Sequence, residues 1–215
     1  IWFRFITSHP KDMSEELIDV ISQHQNICKH IHLPLQAGSN RILKLMNRKY
    51  TREHYLSLIE KIRTKNPECA ITTDIIAGFP SETIDEHKQT LSTIESIRFD
   101  GAFMFKYSVR PGTKAENYED DISEKEKIRR LNEIIELQSA IAKEINKKEI
   151  GKIHIALVEG KSKRNPKQWQ ARSDTNKLII FDLPEVKIEI ASFVKLKITK
   201  STSATLFGEF VEIYN

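Results

Sequence analysis

Cysteine is scarce in this 215-residue sequence, and its two copies, Cys28 and Cys69, stand 41 positions apart. They match no ligand spacing such as C-x-x-C, and two thiols do not build a zinc or iron–sulfur site unaided. They read as reduced, buried thiols of a cytosolic protein, so no metal ligand is expected within the chain. Long apolar runs are also missing. No stretch approaches the ~20 residues of a membrane helix, and the apolar opening Ile1–Ile6 lacks the length and basic flank of a secretory signal. A cytoplasmic location without a membrane partner is therefore expected. There is no initiating methionine, and the strand-like run Ile1-Trp2-Phe3-Arg4-Phe5-Ile6 at the start reads as a fragment.

The hydrophobic content of 39% allows one large domain or a medium one with a small one. Charge is unevenly divided. Residues 1–150 carry 23 basic and 23 acidic side chains, whereas residues 151–215 carry 11 and 7, so the whole excess of +4 lies in the tail. A basic module on a neutral body suits a polyanion, most naturally nucleic acid. A solvated lysine-rich surface would have the same composition.

Periodicity separates the same two parts. Strand-like runs at Trp2–Thr7, Ile31–Leu35, Ala70–Ala77 and Ala102–Ser108 alternate with helical patterns capped by Asp12 with Glu15, by Thr51, by Thr83 with Glu86, and by Ser123 with Glu126. Such alternation implies parallel strands joined by crossover helices. Four units are too few for an eight-stranded barrel of ~250 residues, which leaves a small open sheet or part of a larger barrel. Beyond Gly151 the pattern changes to short strands at Lys152–Val158, Trp169–Arg172, Leu178–Phe181, Val194–Ile198 and Leu206–Ile213. Five strands in this length predict a small antiparallel barrel of OB-like size. The fold class is thus α/β, with a (βα) portion over 1–148 and an all-β module over 149–215.

Function in parallel βα folds gathers where strands end. Here those ends are polar: Thr7-Ser8-His9-Pro10, the stretch from His32 to Gln36-Ala37-Gly38-Ser39-Asn40, Gly78-Phe79-Pro80-Ser81-Glu82-Thr83, and Lys106-Tyr107-Ser108-Val109-Arg110-Pro111-Gly112-Thr113. Each piece alone has a structural explanation: glycines for turns, Ser39 and Thr83 for caps, His30 and His32 as satisfied interior residues. Their recurrence at four successive strand ends points to a common pocket.

The longer runs resemble a known family. His32-Leu33-Pro34-Leu35-Gln36-Ala37-Gly38-Ser39-Asn40-Arg41, Leu45-Met46-Asn47-Arg48-Lys49-Tyr50-Thr51-Arg52-Glu53, Thr73–Thr83 and Tyr107–Thr113 are similar to the second half of the catalytic domain of the MiaB family of radical S-adenosylmethionine (SAM) methylthiotransferases. Val158–Lys163, Arg172–Lys177 and Thr205–Glu209 resemble that family's TRAM module, a small RNA-binding barrel. Ser81 and Ala37 depart from the family's usual glycine and serine. The family's cluster cysteines, including a C-x-x-x-C-x-x-C run, are absent, and the residues bearing them are expected upstream of Ile1.

The resemblance implies a (βα) radical SAM barrel portion followed by a TRAM barrel. It also implies SAM and two [4Fe–4S] clusters as cofactors of the full-length protein, with radical chemistry carried by the cofactors. The implied reaction inserts a methylthio group into N6-isopentenyladenosine beside the anticodon of tRNA. Threonylcarbamoyladenosine in tRNA, an aspartate of a ribosomal protein, and a non-catalytic RNA-binding role are the alternatives. The fragment alone is expected to be inactive. Ser8, His32, Gln36 and Gly78 are assigned to SAM on this basis, and Arg110 to a carboxylate or phosphate. Lys161, Lys163, Arg164, Arg172 and Lys177 are expected to contact RNA phosphates. Trp169 and Phe207 could stack on bases, although packing inside a small barrel is the preferred reading of both. The anticodon stem-loop of tRNA and sulfur or iron–sulfur donor proteins are the expected partners, and the full-length protein is expected to be a monomer.

Overall fold

The computed structural model describes residues 1–4 and 9–214. The chain divides into two compact units: Phe5–His24 with Ile31–Ile141, and Ile1–Arg4 with Gln25–His30 and Ala142–Asn215.

The first unit is built on a parallel sheet of order β1-β2-β3, comprising β1 (His30–His32), β2 (Ala70–Ala77) and β3 (Gly101–Lys106). The helices α1 (Glu15–Gln23), α2 (Asn40–Leu45), α3 (Arg52–Lys65), α4 (Ile84–Ile97) and α5 (Glu124–Lys147) accompany it. Strand β2 shows how the sheet is set. Ile71, Thr73, Ile75 and Ala77 are buried, while Thr72, Asp74 and Ile76, pointing the other way, are half-buried. The register pairs Asp74 with Phe103 and Ile76 with Phe105. Those two phenylalanines therefore share the more open face, at 62% and 52% exposure.

Local signals placed most of the helices where the sequence predicts them. Thr51 accepts the His54 N–H and starts α3. Thr83 and Glu86 close both halves of a capping box at α4, and the Ser123 hydroxyl accepts the Glu126 N–H at α5. Two expectations are corrected. Asp12 does not cap α1: it lies in a 3-10 turn, Pro10–Asp12, and Ser14 accepts the Leu17 N–H instead. Strand β1 is shorter than expected, because Gln36 rejoins β2 only through an isolated bridge to Ile75. Of the predicted strand Trp2–Thr7, Phe3 forms a parallel bridge to Ile27, and its second half lies outside the described residues.

The second unit is a closed barrel of order β4-β5-β6-β8-β7. Its strands are β4 (Ile153–Lys161), β5 (Gln168–Ser173), β6 (Leu178–Asp182), β7 (Phe193–Ser201) and β8 (Leu206–Tyr214). Alternate residues point inward, and Ala156, Val158, Ala171, Ile179, Phe181 and Leu196 lead a core in which none is more than 1% exposed. All seams are antiparallel except β6–β8, which runs parallel from Ile179–Leu206 to Phe181–Gly208. The wholly antiparallel barrel expected from the sequence is corrected to that extent. Asn146 of α5 donates to the Thr202 and Ser203 carbonyls at 2.9 and 3.1 Å. Arg4 donates to the Ser173 carbonyl at 2.8 Å and to Asn176 Oδ1, and Trp2 meets Phe193 edge-on at 4.9 Å.

Candidate ligand cleft and nucleic-acid surface

A cleft of about 720 Å³ opens in the first unit at the carboxyl ends of the strands. That lies within the ~300–1,000 Å³ typical of small-molecule sites. Gln36 from the end of β1, Asp74 and Ile76 from β2, and Phe105 and Tyr107 from β3 and its end form part of its wall. This is where the sheet topology requires a ligand site to be.

Gln36 is held there by its backbone. It adopts φ 69°, a left-handed conformation uncommon outside glycine. Its N–H donates to the Asp74 carbonyl at 2.8 Å and its carbonyl accepts from Ile76 N–H at 2.9 Å. Behind it the chain passes so close to α4 that a Cβ on Gly38 would lie 2.5 Å from the Gln89 carbonyl oxygen. Ser39 then caps α2 and donates to Glu86 at 2.8 Å. Burial opposes ionisation of Glu86. The two-pronged Arg41 contact, the Thr83 N–H and Ser39 nevertheless bring its carboxyl down to about 2. The site is thus backed by a fixed ionic frame.

His32 faces the same side of the sheet as Asp74, with Nδ1 3.0 Å from Thr72 Oγ1 and Nε2 3.4 Å from Asp74 Oδ1. Phe103 meets its ring edge-on at 5.8 Å. His32 itself does not line the cleft; its partner Asp74 does. Gly78 also lies behind the cleft wall. It has φ +72°, its N–H donates to Glu82 at 2.9 Å, and a Cβ there would meet Lys127 Cγ at 2.5 Å. Its local task is to admit α5. Lys127, 2% exposed, is paired with Asp120 at 2.6 Å and Glu124 at 3.1 Å and lies over the Tyr107 ring. Burial pulls its pKa down, but the two carboxylates outweigh burial and leave it raised.

Arg110 lines the cleft and is exposed. Ser8 lies outside the described residues. Sequence reading singled out neither Arg48 nor Lys106, both in the cleft wall. Lys106 is engaged with Glu124. Arg48 stood in the sequence only as one member of the family-like run Leu45–Glu53, and it follows Asn47, which takes φ 58°.

On the barrel, Lys161, Lys163 and Arg164 are exposed in the β4–β5 connection, and Lys167, which sequence reading passed over, is exposed beside them. None has an ion pair with a described residue. Arg172 differs: its guanidinium contacts Glu159 at 2.6 and 3.2 Å. Lys177 donates to Asn146 at 3.0 Å and is half-buried. Trp169 packs against the barrel core, which favours packing over base stacking. Phe207 is half-buried with Lys200 over its ring at 5.9 Å.

Family models match in the same order. The radical SAM superfamily matches residues 1–94 and the TRAM domain residues 147–211. The chain is 53% identical over 209 residues to a tRNA-2-methylthio-N(6)-dimethylallyladenosine synthase of Bacteroides fragilis, covering 97% of this chain and 45% of that protein. The proteins of the same name from Phocaeicola vulgatus and Carboxydothermus hydrogenoformans are 52% and 49% identical over the same 97% of the chain. Along nearly its whole length the chain is similar to these MiaB-type synthases. It spans about half the length of these curated relatives, 45% to 47% of each. Among solved structures, coproporphyrinogen III oxidase from Escherichia coli, described as a radical SAM enzyme, matches with a TM-score of 0.55 at 13% identity. That match covers 80% of this chain and 46% of that one, and it supports the fold. The radical SAM match spans β1, β2 and the helices as far as most of α4, and the TRAM match spans the barrel strands up to residue 211.

Proposed function

We propose that the full-length protein inserts a methylthio group at C2 of N6-isopentenyladenosine next to the anticodon of tRNA. On this reading residues 1–148 contribute the ligand cleft and residues 149–215 the RNA-binding module. The observation that carries it is 49–53% identity along 97% of the chain to synthases named for that nucleoside. The cation-lined cleft supports it from the geometry.

The cleft fits SAM in size and chemistry. Apolar walls from Ile76, Phe79 and Phe105 suit an adenine, Gln36 and Ser108 offer hydrogen bonds, and Arg110 a cation for a carboxylate. On the same reading Ser8 and His32 belong to the SAM site. Gly78 acts there by holding the strand-end loop against α5. The residues present do not fit an iron–sulfur cluster. Among the described residues no group of His, Cys, Asp or Glu could hold a metal, and Cys28 and Cys69 are each buried singly. The two cluster sites expected for the full-length protein therefore belong to residues outside this sequence. When bound, SAM and the clusters supply the radical chemistry and the sulfur. The chain's own residues bind, orient and shield: the Glu86 frame fixes the Gln36 loop, while Lys161, Lys163, Arg164, Arg172 and Lys177 hold RNA phosphates.

No described helix is long and apolar enough to cross a membrane, and a cytoplasmic tRNA enzyme is the consistent reading. Mass spectrometry of tRNA nucleosides from a deletion strain tests the substrate. Loss of 2-methylthio-N6-isopentenyladenosine, restored by the full-length gene, is expected. Its persistence, with loss instead of the methylthio derivative of threonylcarbamoyladenosine, would transfer the assignment to that substrate.

A further inference from the structure

Arg48 is fixed at the end of α2 by its main chain. Its N–H donates to the Leu43 carbonyl at 2.8 Å, and Asn47, at φ 58°, donates to Lys44 at 3.0 Å. This paired closure leaves the Arg48 side chain no freedom of origin. The side chain lines the cleft, yet its Nε is buried with no hydrogen-bond partner, and the guanidinium has no ion pair with any described residue. A buried N–H is costly to leave unsatisfied, and the rest of this half-buried guanidinium has further donors to offer the cleft.

The neighbours do not solve the problem. The Tyr50 hydroxyl is within 3.0 Å of the Pro34 and Leu35 carbonyls, and His9 Nδ1 accepts from Lys11 N–H. Asp74, the sole carboxylate in the cleft wall, faces His32, and Lys106 is taken up by Glu124, whereas Arg110 and Lys114 add further cations. Burial lowers the His9 pKa, and Arg48 and Lys11 nearby lower it further against Asp12.

We propose that Arg48 is an oxyanion-binding residue of the cleft, taking a carboxylate or phosphodiester oxygen of its ligand beside Arg110. The inference rests on the proposed function for the ligand's identity: the carboxylate would be that of SAM, the phosphodiester that of the RNA. Planar, forked donation is what either oxyanion requires.

The test uses reconstituted full-length enzyme, with Arg48→Gln and Arg48→Lys compared in three binding measurements. S-adenosylhomocysteine probes the carboxylate source, an RNA hairpin carrying the target adenosine probes the phosphodiester source, and inorganic phosphate probes the shared chemistry. Arg48→Gln is expected to weaken one of the first two about tenfold or more, with Arg48→Lys in between. It should also unfold, without ligand, at the wild-type temperature or above, since a buried N–H without a partner is removed. Unchanged binding of both probes, or a ligand-free unfolding temperature lowered by several degrees, would overturn the proposal. If wild type binds neither probe, the proposed function fails. The subsite is then decided by phosphate, whose stabilising effect must disappear in Arg48→Gln.

Discussion

Gly78 and Lys127 are packed so tightly that a methyl group on the glycine would sit 2.5 Å from Lys127 Cγ and 3.3 Å from its Cα. The obstruction is the root of the lysine side chain, which cannot swing away. Gly78→Ala adds the penalty of a φ of +72° to this overlap, and is expected to cost about 2–4 kcal/mol. Chemical denaturation measures it. A variant as stable as wild type would mean that α5 does not press on the end of β2.

The pair Glu82–Arg130 is buried, with side chains 1% and 5% exposed and 2.9 Å apart. Arg130 also reaches the Glu82 carbonyl at 2.7 Å and Glu126 at 2.8 Å. Arg130→Met removes the cationic partner of buried Glu82 and leaves it only the Gly78 N–H, and should destabilise by about 3–5 kcal/mol. The double variant Glu82→Gln with Arg130→Met should lose less than the sum of the two single losses. Additive losses in a double-mutant cycle would contradict direct coupling.

Acid should weaken the frame behind the Gln36 loop. Glu86 titrates near 2 in the folded chain against 4.5 ordinarily. Its contribution is complete above 4.5 and is lost as pH falls through 2. Because Arg41 is half exposed, the contribution is of order 2 kcal/mol rather than the full value of the shift. Glu86→Gln should therefore flatten stability against pH in that interval. Parallel curves for the variant and wild type would remove Glu86 as the source.

On the barrel, the exposed cations should count for more than the paired one. Replacing Lys163 or Arg164 with Gln is expected to weaken RNA binding for all sequences alike and to lower the salt slope by about 1. Arg172→Gln should do less, since Glu159 already neutralises Arg172. Titrations at several salt concentrations distinguish them, and a larger effect at Arg172 would place the RNA on the β4–β5 face itself.

The parts legible in the sequence are those decided within a few residues. The Thr83–Glu86 box, the Thr51 cap and the alternation of Ala70–Ala77 are local events, and the fold reproduces them. Asp12 and Ser14 were both acceptable caps. Pro10 decided between them by starting a 3-10 turn that consumes Asp12. The cleft was legible as a set of strand ends, because parallel topology brings such ends together. Arg48, Lys127 and Arg172 were not, because their character depends on distant partners: a missing acceptor, Gly78, and Glu159 across a bulged seam between β4 and β5.

Barrel closure has a consequence for how RNA can be held. Strand β8 is stitched to β6 at Leu206–Gly208 on one flank and to β7 on the other, so the closed ring leaves little backbone edge to lend to a partner. Recognition must then pass through side chains and connecting loops, not through an added strand. Deleting β8 would unzip two seams at once, converting a self-contained cylinder into a sheet with two sticky borders prone to self-association.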